Sequence, residues 1–155
     1  MPNRMLAVGL VLAAVAGGVT GCAEAQTSPL RAARLTIAGT THLARPPACS
    51  QEQSYRTIDI RDHDGSVEAA VLLSGYRAIP QWVKIRNVDG FTGSFWEGGV
   101  GDARADVTKE AYTISGSAYG ISSSNPNKVV MTDFKIVADC GPRVRGPGLG
   151  LMTVT

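Results

Sequence analysis

The chain has 155 residues, 44% of them hydrophobic and 18% charged, which fits one folded domain and excludes a disordered or strongly polar chain. Fifteen Lys and Arg against thirteen Asp and Glu leave a formal charge of +2, too little for the basic stripe of an electrostatic nucleic-acid binder. Eighteen Gly and eight Pro break the chain often, which suits many short strands better than long helices.

The first segment reads as an address. Asn3-Arg4 give a short positive start, and Met5 to Ala16 is an apolar run without a charge. Small residues then lead through Val19-Thr20-Gly21 to Cys22. This layout is a lipobox at the end of a signal peptide spanning residues 1–21. The small residues admit the processing peptidase, and the Cys22 thiol receives the diacylglycerol. A secretory signal cleaved elsewhere is the alternative. A transmembrane helix fits less well, because the apolar stretch falls short of the ~20 residues that span a bilayer. Residues 22–33 then read as an acylated Cys and a tether around Gln26-Thr27-Ser28-Pro29, without apolar periodicity.

Three Cys in an exported chain call for an explanation. If Cys22 carries lipid, Cys49 and Cys140 remain as one pair, and an oxidising compartment permits their disulfide. Closing a loop of that length is worth about 4–5 kcal/mol in the loop-entropy model. Two buried free thiols are the alternative. Zinc is disfavoured by the absence of a CxxC or His cluster.

The folded part, residues 34–140, shows period-two alternation. Leu35 and Ile37 share a face. Ile58 and Ile60 follow in Tyr55–Ile60, then the row Val67, Ala69, Val71 and Leu73. Val83 and Ile85 lie opposite Lys84 and Arg86. Phe91–Trp96 and the short Arg104–Val107 come next, the latter paired with Tyr112–Ser117. In the longest strand, Val129–Cys140, one face carries Phe134, Ile136, Ala138 and Cys140. No strand is read between Ile37 and Tyr55. Asp64-Gly65 and Asp89-Gly90 have the composition of two-residue hairpin turns. Gly98-Gly99 with Gly101 forms another turn, and Ser122–Asn127 a polar loop. The pattern predicts an all-β domain of about eight short strands, an antiparallel sandwich or a rolled sheet. Residues 141–155, rich in Gly and Pro, read as a disordered tail.

No catalytic or metal constellation emerges. Asp62-His63-Asp64-Gly65 fails as a calcium loop, since aligning its glycine places Ile60 and Val71 at ligand positions. His42 and His63 are the only histidines, each in a turn-like stretch without an assigned nucleophile. Gly98-Gly99-Val100-Gly101 lacks the Lys-Ser/Thr of a phosphate loop. Phe95-Trp96 is either core with a partly covered Trp or an exposed patch for sugar or lipid.

The run Tyr112-x-Ile114-x-Gly116-x-Ala118-x-Gly120, then Asn125-Pro126, then Phe134-x-Ile136 and Cys140, resembles the LpqH-type lipoprotein antigens of mycobacteria, the nineteen-kilodalton antigen family. Asn87-Val88-Asp89-Gly90 and Cys49 fit the same pattern. The resemblance implies a cell-envelope lipoprotein with a β-rich domain and one disulfide, anchored to the cell membrane through Cys22 on the extracytoplasmic face and exposed to the host, while the residues themselves read as non-enzymatic and without a cofactor. It also implies that the acylated terminus is a ligand for host Toll-like receptor type two. Family members carry an O-mannosylated tether, for which Thr27 and Ser28 are the hydroxyls available here. A small lipid or glycolipid carrier is the second functional reading.

Overall fold

The computed structural model describes residues 31–141. They form ten antiparallel strands and, among the described residues, no helix. In chain order these are β1 (Arg34–Ile37), β2 (Thr40–Leu43), β3 (Ala48–Glu52), β4 (Tyr55–Asp62) and β5 (Gly65–Ser74). They continue as β6 (Arg77–Val88), β7 (Phe91–Trp96), β8 (Asp102–Thr108), β9 (Ala111–Ser122) and β10 (Asn125–Asp139). All belong to one sheet, ordered β2-β1-β10-β9-β7-β6-β5-β4-β3, so the rolled sheet is the architecture and the two-sheet sandwich is not.

The apolar rows expected from alternation are the core. Leu35, Ile37, Ile58, Ile60, Val67, Val71, Val83, Ile85, Ile114 and Ile136 are all excluded from solvent. They merge with Phe91, Phe95, Tyr112 and Phe134 into one cluster, into which Cys49 and Cys140 pack from its margin. One cluster drawn from both halves of the strand order requires that the sheet curl until its inner faces meet.

β7 and β8 occupy a single lane between β6 and β9. Ser94 pairs with Tyr119 and Asp102 with Ser117, so two steps along β9 face eight along the lane. The surplus is the Glu97–Gly101 excursion, where Gly98 (φ 71°) and Gly101 (φ 84°) take left-handed conformations. The inner row of β9 narrows as Tyr112, Ile114, Gly116, Ala118 and Gly120. A Cβ on Gly120 would overlap the Thr92 carbonyl oxygen, and one on Gly116 would overlap that of Asp102. These glycines let the lane approach β9 closely.

The structure corrects the sequence reading in several places. β2 and β3 are strands, although no period-two apolar row marks them, because both lie at sheet edges with largely exposed side chains. Ala33, assigned to the tether, is fully buried, and its carbonyl accepts from the Ala44 N–H at 2.8 Å. The Asp89-Gly90 turn forms as expected, both residues having positive φ (51° and 74°). The other turn is shifted by one: Asp62 pairs with Gly65, so His63-Asp64 make the turn and Gly65 opens β5. Gly65 serves instead for close packing, since a Cβ there would fall 2.6 Å from the Arg86 carbonyl oxygen. The Ser122–Asn127 loop contracts to a turn at Ser123-Ser124, and β10 begins at Asn125 with a register shift before Val129.

Candidate functional site

Of the residues singled out from the sequence, Cys22, Thr27 and Ser28, the 1–21 segment and the 142–155 tail lie outside the described residues. Cys49 and Cys140 are joined, with Cα atoms 5.7 Å apart, inside the usual disulfide range of about 4.4–6.8 Å. The bond links edge strand β3 to the residue following β10, strands at distant places in the sheet order. It therefore crosses the seam of the roll.

Beside it runs a polar bridge across the same seam. Arg56 on β4 donates from Nε to the Tyr112 hydroxyl at 3.2 Å and from Nη2 to Glu110 Oε2 at 3.1 Å. Only 15% of the Arg56 side chain is exposed, while half of Glu110 faces water. The guanidinium also lies 5.6 Å from the Tyr112 ring centroid. The Cys140 N–H donates to the Glu110 carbonyl at 2.8 Å, tying the bridge to the disulfide.

Neither histidine takes part in this arrangement. His42 sits in β2, not in a turn: Thr40, Thr41 and Leu43 pair in register with β1. His42 lies opposite Leu35, and its Nε2 is buried without a hydrogen-bond partner among the described residues. His63 occupies the β4–β5 turn. Among the described residues no group of three or more His, Cys, Asp or Glu is placed to hold a metal ion.

Phe95 is core and Trp96 is half exposed. Trp96 pairs across the sheet with Trp82, their ring centroids 6.1 Å apart. Lys84 Nζ lies 4.6 Å from the Trp82 centroid and 5.4 Å from that of Trp96. Tyr119 with Met131, and Ile121 with Val129, extend the exposed apolar surface along β9 and β10. The sequence contained the signal for this face in Trp82, which alternates with Val83, but its pairing with Trp96 depends on a register that alternation does not reveal. A cleft of about 550 Å³ opens between β6 and β8, with Arg77, Arg104, Glu97 and Asp106 in its lining. It is a charged surface groove, unsuited to an acyl chain.

The comparisons with known proteins agree with the resemblance. The family described as Mycobacterium 19 kDa lipoprotein antigen matches residues 26–140. A probable lipoprotein LppE of Mycobacterium tuberculosis is 65% identical over 140 residues, covering 90% of this chain and 100% of that protein. A putative lipoprotein of Mycobacterium indicus pranii is 35% identical over 141 residues, again 90% of this chain and 100% of that protein. The match takes in Cys49, Cys140 and all ten strands, and the chain belongs to the Mycobacterium 19 kDa lipoprotein antigen family.

Proposed function

We propose that this chain is a lipoprotein held in the cell envelope by acyl chains on Cys22, displaying a non-catalytic β-domain on the extracytoplasmic side. The observation that carries the reading is Val19-Thr20-Gly21-Cys22 after an uncharged apolar run, in a chain whose relatives are named lipoproteins. Each buried CH₂ contributes ~0.8 kcal/mol, so two or more acyl chains make membrane residence stable. The domain's interior is filled by Phe95, Phe134, Tyr112 and the aliphatic rows, which favours display over carriage of a lipid between the sheet's faces. The acylated terminus is also the part a host Toll-like receptor type two would recognise, as in the family this chain resembles. The test is the mass of the amino-terminal peptide from the membrane fraction. A peptide beginning at acylated Cys22 is expected, and Cys22→Ala should release or stall the protein and abolish receptor signalling. An internal peptide containing unmodified Cys22 would refute the anchor.

A further inference from the structure

We infer that the end of the domain from which the tether departs is a membrane-docking surface, with Tyr55 and Tyr76 lying at the lipid–water boundary. The inference rests on the acylation of Cys22 proposed above. Arg31, the first described residue, lies 3.6 Å from Asp139 at the end of β10. Eight residues lie between it and Cys22, and the nine Cα–Cα steps span at most ~30 Å even when fully extended. β10 has 15 residues, about 50 Å of strand, so its far end at Asn125 is beyond the anchor's reach while Arg31 stays on Asp139. The near end is the one the lipid can meet.

That end carries the side chains a bilayer surface selects. Tyr76 sits at the tip of the β5–β6 turn and is 109% exposed, more than an ordinary surface Tyr. Tyr55 is half exposed and pairs in register with Leu72, which pairs with Ile79, giving an apolar row on the outer face below the tip. A tyrosine combines an apolar ring with a hydroxyl that remains in water, the chemistry found where membrane meets solvent. Arg77 flanks Tyr76 and Lys109 sits in the neighbouring β8–β9 turn. Glu110 follows Lys109, and Asp106 shares a groove with Arg77, so the contact rests on the tyrosines and the apolar row rather than on net charge.

The chain's four tyrosines provide a test without substitution. The full chain, expressed in a mycobacterial host and purified from its membranes, is reconstituted on phosphatidylglycerol–phosphatidylethanolamine vesicles and labelled with hydroxyl radicals. Tyr112, buried, sets the floor, and Tyr119, 48% exposed on the outer face of β9, is the internal reference. Exposure alone makes Tyr76 label about twofold faster than Tyr119. Docking reverses the order, with Tyr76 and Tyr55 slower than Tyr119. If Tyr76 stays ahead, or Tyr119 is the protected residue, the end-on contact is wrong. The amino-terminal mass from the same sample separates the two claims: acylated Cys22 with a freely labelled Tyr76 overturns docking alone, whereas unmodified Cys22 overturns the anchor and the docking with it.

Discussion

The two ends of the rolled sheet are closed by different chemistry. At the near end, where Arg31 meets Asp139, the seam joins strands remote in sequence through the Cys49–Cys140 bond and the Arg56–Tyr112–Glu110 bridge. At the far end the chain closes through local hairpins at His63-Asp64, Asp89-Gly90 and Ser123-Ser124. Backbone bonds stitch these together, as where the Ser123 N–H donates to the Gly90 carbonyl at 2.7 Å. Local turns cost little loop-closure entropy, whereas the seam must hold a contact 91 residues apart. The near end therefore carries the covalent and ionic ties between remote strands, and the far end is closed by tight turns and backbone hydrogen bonds.

Removing the disulfide is the largest perturbation of this contrast. Cys49→Ala with Cys140→Ala should lower stability by about 2–5 kcal/mol, read from thermal or denaturant unfolding. Hydrogen exchange should quicken first in β3, the edge strand the bond pins. Equal loss of protection in the far-end hairpins would show that the two ends do not differ as described.

The far end has its own weak point in Gly120. A Cβ there has no room between the Thr92 carbonyl and Gly93, so Gly120→Ala should cost about 1–3 kcal/mol, as overpacking does. A neutral result would mean that the β7–β9 spacing is softer than its contacts indicate. Back at the seam, Arg56→Ala removes two hydrogen bonds from a mostly buried guanidinium and leaves the buried Tyr112 hydroxyl without it. A loss of about 1–2 kcal/mol is expected, read from denaturant unfolding. A double-mutant cycle of Arg56→Ala with Tyr112→Phe measures the coupling.

The difference between the ends also explains what the sequence revealed. The inner rows from Leu35 to Ala138 were legible because a half-buried strand must alternate, and Asp89-Gly90 was legible because a two-residue turn needs positive φ. β2 and β3 were not, since an edge strand has little to bury on either face. The one-residue shift at His63-Asp64 came from Gly65 answering to the Arg86 and Asn87 carbonyls of a neighbouring strand, a contact local composition cannot express. Cysteine arithmetic found the seam's covalent tie. Its partner Arg56 stayed hidden, since an Arg on an inward position of β4 finds Tyr112 and Glu110 only when the sheet rolls.

His42 belongs to neither end, and the smallest effect is expected there. It stands opposite Leu35 on edge strand β2, with Nε2 buried and unpartnered. Among the described residues no hydrogen bond reaches that nitrogen. Its ring instead covers the margin of the core beside Leu35. Replacing it with leucine keeps the apolar cover and removes a buried nitrogen that has no partner among the described residues, a change that favours the folded state. His42→Leu should therefore leave the unfolding midpoint unchanged or raise it, by less than about 1 kcal/mol, with the envelope association intact. A loss of 2 kcal/mol or more, on the order of breaking a buried polar network, would mean that Nε2 has a partner in the folded protein.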